Sequence, residues 1–232
     1  GRLLLAKVNT DEERGLSREH GIRSLPTMRL YRNGEVVEEI LGAQTESTLR
    51  ILLDRYVDRP SDALREAALD QHRQGNTAAA IDQLERICEE DPSNTRAALD
   101  LVELNLAAGR LESAEAGYAA LPRDVRDESD GTRLRALLDF SAIAGDTGER
   151  AELEEQLQAA PEDLDVRYRM AAMQVLAGEY EAAMQGFMEI IRLDRTFRDD
   201  GGRRALLSVF DLLGNEHELV ASYRRKLFNA MH

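Results

Sequence analysis

The chain has 232 residues, with 44 acidic side chains against 30 Lys plus Arg and a formal net charge of -14. That balance excludes an electrostatic nucleic-acid binder, which needs a clustered cationic surface to neutralise phosphates. With 43% hydrophobic residues, 32% charged residues and only 5 Pro, the chain can build a sizeable core and is not a disordered sequence.

The charge is uneven. Residues 1 to 57 are neutral, residues 58 to 194 carry -16, and residues 195 to 232 carry +2, an imbalance that marks separate units with separate partners. Apolar runs such as Leu3-Leu4-Leu5-Ala6 fall far short of the roughly 20 residues a membrane helix requires, so no membrane association is expected. The single cysteine, Cys88, cannot form an internal disulfide, which favours a reducing compartment such as the cytoplasm. Gly1 leads directly into Leu3-Leu4-Leu5 with no signal-peptide pattern, so the chain is expected to begin inside a domain, as the C-terminal part of a longer protein.

In chain order, Leu3 to Val8 reads as a short strand and Asp11 to His20 as a polar helix. Thr27 to Tyr31 alternates as a strand, Arg32-Asn33-Gly34-Glu35 signals a tight hairpin, and Val36 to Leu41 returns as its second strand. From Glu46 to Val57, a helix puts Leu49, Leu52, Leu53 and Tyr56 on one face. Asp58-Arg59-Pro60-Ser61-Asp62 is a linker ending in a helix cap, and the sequence beyond is helical throughout.

The first 57 residues resemble the second half of a thioredoxin. The resemblance rests on Val8-Asn9-Thr10-Asp11, Gly21-Ile22-Arg23-Ser24-Leu25-Pro26-Thr27, Tyr31-Arg32-Asn33-Gly34 and Gly42-Ala43. It implies that Pro26 follows a cis peptide bond and that Leu25, Pro26 and Thr27 form a substrate-binding loop, the backbone at Leu25 pairing with an extended segment. On residues alone, Pro26 equally starts a strand, since most X-Pro bonds are trans. No Cys-x-x-Cys is present, so this chain has no dithiol exchange of its own. The resemblance also implies an incomplete sheet unless the missing half is supplied.

Glycines at 75, 109, 145, 178 and 214 recur at 33 to 36 residues. In three units a small residue follows (Ala80, Ala114, Ala183), then a larger apolar one (Leu84, Tyr118, Phe187), then a third apolar position (Ile87, Leu121, Ile190). Seven residues before these three glycines stand Ala68, Val102 and Ala171. The pattern resembles the tetratricopeptide repeat, with Pro92 and Pro161 opening units, and with Arg150 and Leu219 marking two degenerate units. Paired, stacked helices of this kind leave a concave face for extended ligands.

Neither a metal nor a cofactor site is expected. His20, His72, His217 and His232 are scattered, no phosphate loop or nucleophile elbow occurs, and Glu89-Glu90-Asp91 and Asp199-Asp200 lack calcium-loop spacing and read as solvated helix ends. Cys88 lies on the stripe Ile81, Leu84, Ile87 and reads as a small hydrophobe. Tetratricopeptide modules that clamp C-terminal carboxylates use Lys, Asn and Arg on first helices; here Arg65 is followed by Leu69 and by Asp100, and an aspartate would repel a carboxylate. The last helix, Glu216 to Met231, either caps the array with Val220, Tyr223, Leu227 and Ala230 or docks into a partner groove.

The fold class is therefore mostly α: a partial thioredoxin-like α/β domain over 1-57, then an α-helical tetratricopeptide-type solenoid over 58-232. The combination resembles the bacterial chaperedoxins, or YbbN-type thioredoxin-like proteins. That resemblance implies a cytoplasmic, redox-linked holdase that binds unfolding client proteins and passes them to refolding chaperones. It also implies contact with the GroEL chaperonin through the last helix, at Tyr223, Arg224, Leu227 and Phe228. Thr10 stands where family members can carry a cysteine. A second reading, a thioredoxin-type disulfide oxidoreductase with substrate-selecting repeats, requires a Cys-x-x-Cys elsewhere in the parent protein. A third is an adaptor with one dedicated partner.

Overall fold

The computed structural model describes residues 3–54, 56, 59–145 and 150–231. The chain forms two compact units, residues 1–62 and 63–232; the expected junction at 57 and 58 lies outside the described residues, as does His232.

In the first unit the Asn9 side chain accepts from the Asp11 amide at 3.0 Å and turns the chain into α1 (Arg14–Glu19), which starts three residues later than its polar pattern predicts. β1 (Thr27–Arg32) and β2 (Glu35–Leu41) form an antiparallel hairpin in the register Thr27↔Leu41 to Arg32↔Glu35, with an irregularity between Leu30 and Tyr31. Asn33 and Gly34 carry φ of 53° and 86°, the doubly positive turn that matches strand twist. α2 follows at Glu46–Asp54. The expected strand over Leu3 to Val8 does not form: among the described residues the sheet has two strands. The segment is exposed, with Leu4 at 92%. An extended segment becomes a strand only when a neighbour satisfies its amides and carbonyls, and among the described residues no strand pairs with it.

The second unit is a run of helices: α3 (Asp62–Arg73), α4 (Thr77–Glu90), α5 (Thr95–Ala107), α6 (Leu111–Ala120), α7 (Arg123–Arg126), α8 (Ser129–Ala144), α9 (Arg150–Ala159), α10 (Leu164–Leu176), α11 (Tyr180–Leu193), α12 (Gly201–Leu213) and α13 (Glu218–Met231). Each repeat glycine, at 75, 109, 145, 178 and 214, has positive φ between 71° and 88°, a conformation glycine adopts without the cost a Cβ imposes. The small residues expected at helix crossings, Ala80, Ala114 and Ala183, are wholly buried. Next to them Gly186 brings α11 so close to α10 that an added Cβ would lie 3.0 Å from the Ala171 Cβ. Short α7 is an insertion that the repeat spacing does not announce.

Two apolar clusters are separate. One gathers Ala68, Ala80, Ile81, Leu84, Ile87, Ala97 and Leu104 from α3 to α5. The other extends from Phe140 in α8 to Leu227 in α13 and includes stacked Phe140 and Phe187, with ring centroids 6.0 Å apart, and Tyr168 edge-on to Phe187.

Candidate protein-binding surfaces

Three surfaces correspond to the residues singled out by the sequence. In the first unit the Leu25–Pro26 bond is cis, as the resemblance to thioredoxin implies. The loop is pinned from both sides: the Thr27 hydroxyl donates to the Ser24 carbonyl at 2.6 Å, and the Gly42 amide donates to the Pro26 carbonyl at 2.8 Å. Leu25 is left 68% exposed at the surface. The arrangement presents a fixed backbone turn and an apolar side chain to solvent.

The second surface is the row of first helices. Arg65 on α3 makes a two-point ion pair with Asp100 on α5, both side chains less than a fifth exposed. Burial pushes the Asp100 carboxyl above its ordinary value, and the Arg65 guanidinium opposes this. Asp100 therefore engages the cation a carboxylate clamp would use, a stronger reason against that reading than repulsion alone. Farther along, Arg133 on α8 forks onto Glu103 of α5, and Arg135 forks onto Glu115 of α6 while also reaching Asp139. Donation from Arg135 holds the Glu115 carboxyl below the usual range.

Cys88 is half-buried against the α3–α5 cluster. Burial first, then the charges of Asp100, Asp91 and Glu85, push its thiol up to about 11, so it is not a thiolate near neutrality. Among the described residues no group of three His, Cys, Asp or Glu side chains could hold a metal ion. Asp199 and Asp200 are not a helix end of the ordinary kind: with Arg198 they form a left-handed turn, at φ 47° to 60°, ahead of α12.

The third surface is α13. Val220 and Tyr223 are at most 1% exposed and Leu227 is 9% exposed, all within the larger cluster. The Tyr223 hydroxyl donates to the Glu181 carbonyl at the start of α11 at 3.3 Å, and Arg195, just past the end of α11, donates to the Ala230 carbonyl. Those two ties make α13 run alongside α11 in the same direction. The docking set Tyr223, Arg224, Leu227 and Phe228 is thus divided: Tyr223 and Leu227 face inward and are unavailable for surface contact, because i and i+4 residues share the seated face. Arg224 is exposed, lies over the Phe210 ring at 5.7 Å and donates to Asn215, and Phe228 is 63% exposed. Lys226 lies 3.9 Å above the Tyr223 ring.

The thioredoxin family matches residues 1–55, and tetratricopeptide repeat families match residues 71–138 and 143–232. The chain is 40% identical over 57 residues to the chloroplastic thioredoxin M5 of Oryza sativa subsp. japonica, covering 25% of this chain and 33% of that one. It is 40% identical over 53 residues to a thioredoxin of Porphyra purpurea (23% and 50%) and 35% identical over 57 residues to a thioredoxin of Synechocystis sp. (25% and 53%). The chain spans about a third to a half of the length of these curated relatives. A solved domain of unknown function from Vibrio parahaemolyticus aligns at a TM-score of 0.33 and 21% identity, over 72% of this chain and 98% of that one; the agreement is too low to carry an argument. The chain thus joins a thioredoxin-like segment to tetratricopeptide repeats. No helix among the described residues is long and apolar enough to cross a membrane.

Proposed function

We propose that the protein is a redox-linked holdase and co-chaperone of the cytoplasm that binds unfolding client proteins and passes them to refolding chaperones such as the GroEL chaperonin. The observation that carries this reading is the pairing, on one chain, of a hydrogen-bonded loop that leaves Leu25 exposed with a helical repeat array. The loop presents an apolar side chain beside a fixed turn and repeats offer a broad binding face, which together suit holding a polypeptide; a redox link requires a cysteine pair that this sequence does not carry. Hand-over is assigned to the outward side of α13, through Arg224 and Phe228.

The test is light scattering of a heat-unfolded client with increasing amounts of the protein. Suppression near equimolar ratio, weakened by Leu25→Asp, is expected; full aggregation at tenfold excess would refute the reading. Chaperonin capture is tested with Phe228→Ser and Arg224→Glu, which spare the core, and retained capture by both would remove the docking assignment. The similarity of residues 1–55 to thioredoxins favours a second reading, a disulfide oxidoreductase whose repeats select substrates. It is tested by insulin reduction, and a rate no higher than that of the chemical reductant alone would remove it.

A further inference from the structure

We infer that Asn33 is a site of spontaneous modification: with Gly34 it closes to a cyclic imide and opens to aspartate or isoaspartate, and the isoaspartate form unlocks the tip of the hairpin. The two residues make the turn between β1 and β2, at φ 53° and 86°, and Asn33 is exposed. Among the described residues no hydrogen bond holds the Asn33 side-chain amide, and none takes up the Gly34 amide. A Cβ placed on Gly34 would meet nothing within 4 Å, so its nitrogen is open to close approach. Of the other asparagines, Asn9, Asn76, Asn94, Asn105, Asn215 and Asn229, none precedes a glycine.

The Gly34 nitrogen attacks the side-chain carbonyl carbon of Asn33. A new N–C bond forms, the C–NH2 bond breaks, the nitrogen's proton passes to the departing group, and ammonia leaves. Water then opens the imide. Cleavage of the new bond gives aspartate; cleavage of the original peptide bond leaves the chain running through the side chain, as isoaspartate. The turn holds Asn33 in the left-handed region, so the nitrogen must swing toward the side chain, and the tip must open first. That opening is easy. A two-stranded hairpin alone is marginal, no described residue between 3 and 54 is buried, and segments with few buried contacts open locally at little cost. Isoaspartate lengthens the backbone of a two-residue turn whose fit depends on its positive φ angles, so the first rung, Arg32↔Glu35, no longer closes. The far end of the hairpin stays tied by the Gly42 amide to the Pro26 carbonyl, and the chemistry is independent of the client reading.

The test incubates the full chain at mildly alkaline pH and follows each asparagine by peptide mapping, mass spectrometry and enzymatic methylation of isoaspartate. Asn33 is expected to convert on the order of tenfold faster than Asn76, which is also exposed and makes no capping bond but precedes Thr77, because glycine alone leaves its nitrogen unshielded. The isoaspartate form, isolated by chromatography, is expected to exchange the amides of Arg32 and Glu35 several-fold faster than the parent, with the repeat array unchanged. Asn33→Asp carries the added charge on an ordinary backbone and is expected to exchange as the parent does, since Asp-Gly suits the same turn. Conversion of Asn33 no faster than that of Asn76 would overturn the site. Unchanged exchange in the isoaspartate form, or equal acceleration in Asn33→Asp, would overturn the unlocking.

Discussion

Replacing Gly131 by Ala is a severe test of the packing between α7 and α8. A Cβ at this position would lie 2.3 Å from the Val125 carbonyl oxygen, 2.5 Å from the Arg126 Cα and 2.6 Å from the Arg126 oxygen. All three are backbone atoms, so no rotamer change relieves the clash, and α7 must retreat by about 1 Å while Val125 is only 4% exposed. Overpacking costs about 1–3 kcal/mol and occasionally more; better helix propensity returns at most about 1 kcal/mol. A net loss of about 2 kcal/mol is expected, which lowers the melting temperature by roughly 4–8 °C for a unit of this size. Gly117→Ala is the control. There the added Cβ meets the Val102 Cγ2 at 3.1 Å, a side chain able to yield, and a change within about 0.5 kcal/mol is expected. Urea denaturation with equal m-values decides. If Gly131→Ala matches the parent or Gly117→Ala, the α7–α8 contact is not as close as described.

Removing one partner of a largely buried pair leaves the other uncompensated, so Arg65→Met is expected to lose about 2–3 kcal/mol, and Arg65→Met with Asp100→Leu to recover most of it; a double variant as unstable as the single would refute the pairing. Because burial raises the Asp100 carboxyl, the folded state holds that proton more tightly than the unfolded chain. Its stabilising contribution is present below the ordinary carboxylate value and is lost as pH rises through the raised one. Asp100→Asn should flatten that part of a stability profile between pH 3 and 7. Tyr223→Phe, which deletes only the bond to the Glu181 carbonyl, should cost about 0.5–1.5 kcal/mol by chemical denaturation, and no loss would show that the bond contributes nothing. The Cys88 thiol should alkylate slowly at neutral pH, with a rate midpoint at about 11; a midpoint in the ordinary thiol range would mean that its surroundings are wetter than described.

The repeat array was legible because its signals are local and periodic. A glycine that must turn left-handed and an alanine that must sit at a crossing leave marks at fixed spacing, and Gly75, Gly109, Ala80 and Ala114 all occupy those roles. The hairpin was legible for the same reason, through Asn33-Gly34. The Leu3 to Val8 segment was misread because an apolar run specifies a willingness to be a strand, while the strand itself depends on a neighbour. Asp100 was placed correctly but not its pairing with Arg65, since two residues 35 apart carry no sequence mark of facing one another. Periodicity found the apolar face of α13 but assigned Tyr223 and Leu227 to two roles at once; only packing against α11 decides between them. Neither the insertion of α7 nor the left-handed turn at Arg198–Asp200 has a periodic signature.

The seating of α13 constrains how anything can recognise it. A partner that drew this helix into a groove of its own would first have to peel it from α11, wetting the Tyr223 ring, Val220, Leu227 and the surface they cover. It would also have to break the ties at Glu181 and Ala230. Uncovering three apolar side chains at about 1.5–3 kcal/mol each would consume much of the affinity of a micromolar complex, about 8 kcal/mol. Recognition without that toll reads the helix where it lies, as a relief on a finished surface, so its specificity must reside in the few side chains that point outward.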